Sequence, residues 1–158
     1  MSDAPENADN PGVIAPPPLI YAGALAIGLL ANRRYRLGFL PRGLSRALGW
    51  PLTAGGLAVA YLGSREMKRA GTNIDPREPT TTIVTGGPYR FTRNPLYLSL
   101  TLIYGGITAL ANALPAALLL PVVLQVMRRG VIEREERYLE GKFGDEYLNY
   151  KARVRRWI

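Results

Sequence analysis

Two groups of residues in this chain combine charge with aromatic and Gly-Pro chemistry. The first is the stretch Gly86–Leu100, GGPYRFTRNPLYLSL, in which arginines alternate with tyrosine and phenylalanine. The second is residues 131–158, VIEREERYLEGKFGDEYLNYKARVRRWI, which contains two adjacent glutamates and ends in a cluster of arginines. An uncharged apolar block separates the two groups. The arrangement predicts a polar site built at the surface of a membrane.

The sequence Asn94-Pro95 in the first group predicts the start of a helix. Asn is a favoured N-cap and Pro is favoured at the first helical position. The free amides and the positive dipole end of such a helix would attract an anion, and Arg90 and Arg93 lie beside it. The same residues also suit an interfacial belt of Arg and Tyr that anchors a helix end. The sequence leaves both interpretations open.

The adjacent glutamates of the second group are candidates for ligand binding. Neither Glu135 nor Glu136 has a basic residue three or four positions away on its own helix. Glu136 also falls on an apolar stripe, where a carboxylate needs a partner from elsewhere. That partner could be an arginine from residues 65–93, in a structural role, or it could be a ligand's amine, hydroxyl or cation.

The rest of the C-terminal region predicts ordinary helices. Glu133 has Arg129 four residues before it and Arg137 four residues after it, which predicts solvent-exposed pairing. Gly144 is expected to end this helix, and Asp145 is expected to cap the next one.

The apolar blocks that connect these groups predict an all-α integral membrane protein. Residues 13–31, 47–64 and 96–127 contain no Asp, Glu, Lys or Arg. The first two are 19 and 18 residues long, close to the roughly 20 residues that cross a bilayer. The third has 32 residues and is interrupted by Asn112 and Pro115, so we expect a hairpin of two short helices. The sequence therefore predicts about four transmembrane helices followed by C-terminal cytosolic helices.

The remaining segments define the domain organisation. Residues 1–12 are acidic and rich in Asn and Pro, and we expect a disordered tail before a membrane domain over 13–158. The first helix should begin near Pro18, and Gly55 and Gly56 should let helices approach closely. His and Cys are both absent, which excludes disulfides, thiol nucleophiles, imidazole bases and most zinc sites, so no metal is expected.

The net charge of +8 is distributed as a membrane surface would require. With four spans, 15 of the 20 Lys and Arg residues lie on one side, and the positive-inside rule makes that side cytoplasmic. If the third block were one long helix, the larger group would be 14 instead. We therefore expect a multi-pass protein of the cell (inner) membrane whose site faces the cytoplasm. Anionic lipid explains the basic residues better than nucleic acid does.

The motifs GGPYRFTRNPLYL and EERYLEGKFGDEYLNYKARV resemble those of the isoprenylcysteine carboxyl methyltransferase family and its relatives among integral-membrane phospholipid and thiol methyltransferases. The similarity covers roughly residues 71–158, where the site would mainly form. It implies S-adenosylmethionine as methyl donor, bound on the cytosolic side, with the acceptor entering from the bilayer. Gly86-Gly87 does not follow a strand of a βαβ unit, so a Rossmann methyltransferase is not expected.

The resemblance also implies a role for individual residues. Those that would line or pack against the cofactor are Gly87, Pro88, Tyr89, Asn94, Pro95, Tyr97 and Leu98. Glu135 and Glu136 would engage its polar groups, and Arg93 and Arg153 would be catalytic residues that orient an acceptor carboxylate. The eukaryotic members have His where this chain has Asn94, so a role that requires imidazole cannot apply.

The function implied is S-adenosylmethionine-dependent methyl transfer to a membrane-associated or lipophilic acceptor, with a carboxylate favoured. Alternatives are a phospholipid N-methyltransferase, a thiol S-methyltransferase and a non-catalytic membrane adaptor. A small proton-coupled transporter would carry an ionisable residue inside a span, and the three apolar blocks have none. An adaptor would not need the two glutamates opposite an arginine-rich helix start.

Overall fold

Residues 9–158 fold into six α-helices joined by turns and one longer loop. The computed structural model describes residues 9–158, and within that range it contains no β-strand. The helices are α1 Pro17–Tyr35, α2 Arg42–Arg69, α3 Pro95–Leu110, α4 Leu114–Met127, α5 Glu133–Phe143 and α6 Asp145–Arg153. A 3-10 turn, Gly87–Arg90, precedes α3, and a π-helical turn, Arg128–Ile132, joins α4 to α5. The all-α prediction is confirmed.

The third apolar block forms the expected hairpin. The chain leaves α3 at Leu110 and re-enters helix at Leu114, and Asn112 between them takes a left-handed conformation with φ of 48°. The Asn112 side chain also ties this turn to the α1–α2 connection. Its Oδ1 accepts hydrogen bonds from the backbone of Phe39 and Leu40, at 2.9 and 2.8 Å, and its Nδ2 donates to the Leu40 carbonyl. Asn112 therefore has two roles in the turn. Asn adopts the left-handed conformation more readily than most residues, and its side-chain amide bonds the α1–α2 connection.

Close packing between α2 and α3 depends on glycines. A Cβ at Gly56 would lie 2.7 Å from Ile103 and 2.9 Å from the Ser99 carbonyl, and a Cβ at Gly106 would lie 2.3 Å from Thr53. Small residues let helix backbones approach, as predicted for Gly56. The prediction is wrong for Gly55, which has nothing within 4 Å of its would-be Cβ because it points away from α3.

The buried core lies between α1, the α3–α4 hairpin and the π turn. Its members are Tyr21, Tyr97, Tyr104, Ala113, Ala116, Val123, Met127, Val131 and Ile132. Tyr104 is 1% exposed, and its hydroxyl donates to the Ala116 carbonyl over 2.8 Å. This bond satisfies a polar group that burial would otherwise leave without a partner.

The π turn changes which residues face each other on α5. Glu133 pairs with Arg128, five residues earlier, at 2.9 Å, whereas Arg129 and Arg137 were predicted as partners. A π turn bonds at i→i+5 and so inserts one extra residue into the helix. The four-residue spacing therefore fails here, because it assumes an uninterrupted α-helix.

Gly144 ends α5 as predicted, with φ of 52°, a value that favours glycine. The prediction that Asp145 caps the next helix is wrong. Gly144 itself occupies the cap position, and Asp145 is the first residue of α6. Its carboxylate still lies at the helix N-terminus, where negative charge is favourable.

One helix in the described part of the chain is long and apolar enough to cross a membrane. It runs continuously from Leu114 to Phe143. Its apolar part is α4, whereas α5 is mostly charged. The apolar helix α3 has 16 residues, fewer than a single ordinary span requires. The count of four spans is thus not confirmed.

The N-terminal segment that precedes α1 lies against α5 and the π turn. Asp9 pairs with Lys142 at 2.6 Å, and the Gly12 carbonyl accepts from Arg134 at 2.8 Å. The Ile14 amide donates to the Gly130 carbonyl within the π turn. Of the predicted tail, residues 1–8 lie outside the described residues.

Candidate functional site

A cavity of about 110 Å³ lies where the start of α3 meets α5, α6 and the loop of residues 71–86. We call it the polar cavity. Its lining residues are Met67, Thr72, Ile74, Thr80, Thr82, Ile83, Val84, Tyr89, Arg93, Asn94, Pro95, Leu96, Tyr97, Glu135, Glu136, Leu139, Tyr147 and Tyr150. Both groups of residues that the sequence singles out contribute to it. The loop supplies one wall, and the helices supply the others.

Seven of the predicted site residues meet at this cavity. They are Tyr89, Arg93, Asn94, Pro95, Tyr97, Glu135 and Glu136. The structure places four others outside the lining: Gly87, Pro88, Leu98 and Arg153. The specific roles of all eleven remain predictions.

Gly87 and Pro88 shape the turn that presents Tyr89. Gly87 has φ of 53°, and a Cβ there would lie 2.7 Å from the Glu66 side chain, so the position favours glycine. Pro88 follows it at the start of the 3-10 turn. The Tyr89 carbonyl then accepts a hydrogen bond from the buried Tyr150 hydroxyl at 2.8 Å, which links the turn to α6. Gly87 and Pro88 thus act on the cavity through Tyr89.

Arg153 lies apart from the other predicted residues. Its side chain is exposed, and its Nε donates to the Asn149 carbonyl one turn earlier on α6. Position 153 falls on the outer face of that short helix. An arginine that does reach the site is Arg156, three residues further on.

The start of α3 is at Pro95, as predicted, but Asn94 does not cap it with its side chain. The Asn94 Nδ2 instead donates to the Arg156 carbonyl at 3.0 Å, and the Thr92 hydroxyl donates to the same oxygen at 3.0 Å. The Arg93 amide donates to the Arg155 carbonyl at 2.9 Å. The helix start therefore binds the C-terminal segment, residues 154–158, and that competing bond explains the failed side-chain cap.

Glu136 is buried, with 6% of the residue exposed, and both its oxygens are engaged. Oε1 accepts from Arg156 Nε at 2.9 Å, and Oε2 accepts from Arg156 Nη2 at 2.7 Å. Arg93 Nη2 forms an ion pair with Oε1 at 3.0 Å. The structural partner considered for Glu136, an arginine from residues 65–93, is therefore present as Arg93. Arg156 is a second partner that sequence reasoning missed, because no local spacing joins two residues on opposite sides of the Gly144 reversal.

Glu135 faces a different environment from its neighbour. Its Oε2 accepts a hydrogen bond from the Tyr97 hydroxyl at 2.8 Å. Burial raises the pKa of Glu135 to about 7, an effect that the Tyr97 hydrogen bond partly offsets and the adjacent Glu136 charge adds to. Glu135 can therefore accept or release a proton near neutral pH.

Arg93 is only partly paired. Its side chain is 8% exposed, and Nη2 forms an ion pair with Glu136 Oε1 at 3.0 Å. Its Nε and Nη1 are buried and have no hydrogen-bond partner among residues 9–158. Arg156 shares the Glu136 carboxylate with Arg93 and also lies 3.8 Å from Glu133. The polar cavity therefore offers two buried Arg93 nitrogens as donors to an anionic group.

Three buried tyrosines complete the wall. Tyr89, Tyr147 and Tyr150 are 8%, 3% and 5% exposed. Burial raises the pKa of Tyr150 to about 12 and raises that of Tyr89 and Tyr147 as well. All three remain neutral at physiological pH, so they can offer aromatic faces and hydroxyl groups but are poor proton acceptors.

A second cavity, of about 530 Å³, adjoins the first, and we call it the apolar cavity. Its lining residues are Pro16, Pro17, Pro18, Ala60, Ser64, Ile74, Asp75, Pro76, Arg77, Leu96, Tyr97, Ser99 and Leu100. Ile74, Leu96 and Tyr97 line both cavities. An elongated ligand with a polar end and an apolar chain would match this pair of spaces.

The fold is helical with one helix that is long and apolar enough to cross a membrane, and two adjoining cavities form the candidate site. The chain matches the phospholipid methyltransferase family over residues 44–146, well over half of its length, and it belongs to that family. This confirms the predicted relationship to integral-membrane methyltransferases. The matched range includes every residue of the polar cavity except Tyr147 and Tyr150.

A bacterial protein also resembles the chain closely. It is from Haemophilus influenzae and is 50% identical over 64 residues, which cover 40% of this chain and all of the relative. It bears the name "Uncharacterized protein" and so adds no function. No solved structure matches the chain significantly.

Proposed function

We propose that the protein transfers a methyl group from S-adenosylmethionine to the carboxylate of a lipophilic acceptor at the cytoplasmic face of the cell membrane. The observation that carries the proposal is Arg93. It is a buried arginine with two nitrogens left for a ligand, in a polar cavity that adjoins an apolar one. Family membership supplies the reaction class.

The groups that line the polar cavity fit the methyl donor chemically. Arg93 could bind the amino-acid carboxylate of S-adenosylmethionine or the carboxylate of the acceptor, since the arginine fork matches a carboxylate. The donor's ammonium or ribose hydroxyls would suit the Glu135 carboxylate. A sulfonium cation would be favourable beside tyrosine faces.

The loop of residues 71–86 would have to move outward to admit the whole donor. The polar cavity measures about 110 Å³, whereas ligand pockets usually measure about 300–1,000 Å³. Six of the lining residues belong to this loop: Thr72, Ile74, Thr80, Thr82, Ile83 and Val84. The loop amide of Thr80 donates to the Tyr138 hydroxyl at 3.2 Å, which joins the loop to α5.

S-adenosylmethionine, when bound, supplies an electrophilic methyl group on a sulfonium. In-line displacement then requires alignment and desolvation more than acid–base catalysis. Arg93 would orient the acceptor carboxylate, which is already nucleophilic at neutral pH. The buried tyrosines would exclude water.

The acceptor's apolar chain would occupy the apolar cavity, with Tyr97 and Leu96 at the junction. Several helices also expose large apolar side chains, which on a water-soluble protein would be unfavourable. Examples are Leu19, Ile27, Leu30, Leu57, Leu118 and Val122, each more than half exposed. These faces support a multi-pass arrangement with four spans. A reporter fused to the C-terminus should be active in the cytoplasm, and periplasmic activity would contradict this topology.

N-methylation of a phospholipid amine is a second candidate, favoured by the description of the matching family. An ammonium must lose a proton before it can attack. Glu135 could accept that proton, because its pKa is about 7. Tyr89 is poorly suited, since burial raises its pKa.

The test is methyl transfer from labelled S-adenosylmethionine to a lipid extract, with the protein purified in detergent. A carboxyl methyl ester releases its label as volatile methanol in alkali, whereas an N-methyl group does not. Label that is alkali-labile supports the proposal, and stable label in a headgroup supports the second candidate. Absence of donor binding by the folded protein would exclude both and favour a non-catalytic adaptor.

A further inference from the structure

We propose that Arg156 is a positioning residue that keeps Arg93 available to an anionic ligand. The inference rests on the proposed function, and it concerns a residue outside the range matched by the family. Arg156 lies in the C-terminal segment, three residues after α6 ends at Arg153 and two residues before Ile158. Its contacts show how it acts.

Arg156 occupies most of the hydrogen-bonding capacity of Glu136. It binds both carboxylate oxygens, through Nε at 2.9 Å and Nη2 at 2.7 Å. Such bidentate pairs are strong and directional. Arg93 is left with one ion-pair contact to Glu136, between Nη2 and Oε1 at 3.0 Å. Its Nε and Nη1 have no hydrogen-bond partner within residues 9–158.

The backbone holds Arg156 in this position independently of its side chain. The Arg156 carbonyl accepts from Thr92 and Asn94, and the Arg155 carbonyl accepts from the Arg93 amide. Trp157, the next residue, packs against the buried core. The C-terminal segment is therefore fixed beside the very residue whose side chain it controls.

Without the Arg156 guanidinium, Glu136 would have a free oxygen beside Arg93. A buried carboxylate and a buried arginine favour a bidentate pair over a single bond. Arg93 would turn toward Glu136 and withdraw its free nitrogens from the cavity. The polar cavity would then offer no free Arg93 donor to an anionic ligand.

The anionic group could come from the donor or from the acceptor, since both can carry a carboxylate. Two matched probe pairs distinguish these sources. The donor pair is S-adenosylmethionine and its decarboxylated analogue. The acceptor pair is palmitate and palmitamide, each measured in detergent as a competitor of acceptor methylation. For either pair, the ratio of the two affinities reports recognition of the carboxylate.

The experiment compares Arg156→Gln with Arg155→Gln, an exposed neighbour whose side chain lies away from the site. In the wild type and in the control, the carboxylate form of one pair should bind about 10- to 100-fold more tightly, as expected for a charged hydrogen bond. Arg156→Gln should reduce that ratio to near one, and Arg156→Lys should restore part of it. If the affinity ratio of the donor pair falls to near one, the carboxylate recognised by Arg93 belongs to the donor. If the ratio of the acceptor pair falls instead, that carboxylate belongs to the acceptor.

Two outcomes would count against specific claims. If Arg156→Gln retains the wild-type ratio for both pairs, the inference is wrong. If the wild type binds no S-adenosylmethionine at all, the proposed function fails instead. Should Arg156→Gln not fold, Arg156→Lys carries the test, because it keeps the charge but loses the fork. An unchanged ratio in that folded variant would equally overturn the inference.

Discussion

The polar and apolar cavities adjoin each other but differ in size and in the residues that line them. The polar cavity measures about 110 Å³ and is lined by segments from the loop, α3, α5 and α6. The apolar cavity measures about 530 Å³ and is lined by the starts of α1 and α3, the second half of α2 and the loop. They share Ile74, Leu96 and Tyr97. The difference suggests that reactive chemistry and recognition of an apolar chain are separable, and mutations can test this separation.

Replacing Arg93 should have the largest effect and should act on the polar cavity alone. Arg93→Gln removes the buried cation that we expect to orient the acceptor, and turnover should fall about 100-fold or more. Glu136 keeps its Arg156 partner, so the fold should survive. The measurement is the rate of methyl transfer, and Arg90→Gln is the control because Arg90 is exposed. Equal rates for the two variants would contradict the assignment.

Filling the apolar cavity should affect the acceptor alone. Ala60→Phe places a ring in that space, and the apparent KM for the lipid acceptor should rise about tenfold, the scale of small steric changes in an apolar site. The Kd of S-adenosylmethionine should stay constant. Ala58→Phe on the same helix is the control, since Ala58 is exposed. A parallel loss of donor affinity would mean that the two cavities function as one.

The pH dependence of donor affinity should distinguish Glu135 from Glu136, which is paired with two arginines. The pKa of Glu135 is about 7, so it gains negative charge as the pH rises through neutrality. Affinity for the cationic donor should therefore increase by severalfold between about pH 6 and pH 8, because ionised carboxylate favours a nearby cation. Calorimetric titration at several pH values measures this. Glu135→Gln should flatten the profile, and a variant that keeps the slope would assign it to another group.

The smallest effect should come from the contact that joins the loop to α5. Tyr138→Phe removes the hydroxyl that accepts from the Thr80 amide at 3.2 Å and that also bonds Asp9 and Lys142. The one bond that reaches the loop contributes about 1 kcal/mol, so donor association and dissociation should each accelerate about two- to fivefold with little change in Kd. Stopped-flow binding measures both rates. Unchanged rates would mean that the loop does not limit entry.

Features that depend on neighbouring residues could be predicted from the sequence. The α3–α4 break at Asn112 and the start of α3 at Pro95 follow from local backbone preferences. The two charged groups also meet at one cavity, as their position on either side of an apolar hairpin suggested. A hairpin returns the chain to the side from which it started. Recognising the break at Asn112 is therefore enough to predict that the two groups lie together.

Features that depend on long-range geometry could not be predicted. Arg156 reaches Glu136 only because the chain reverses at Gly144 and the C-terminal segment then runs beside Arg93. Resemblance pointed to Arg153, which the structure leaves exposed on α6. No spacing rule distinguishes the arginines near the C-terminus, since their directions depend on where a nine-residue helix ends.

The π turn at Arg128–Ile132 gives this chain a site that can absorb a change in length. An α-helix turns about 100° per residue, so an inserted residue would normally rotate everything beyond it. A π turn accommodates the extra residue locally, and here the Gly130 carbonyl accepts from the Ile14 amide. Deletion of one residue from this turn should let α4 and α5 join as regular helix with Glu135 and Glu136 still facing the cavity. A deletion within α5 before Glu135 would instead turn both carboxylates away.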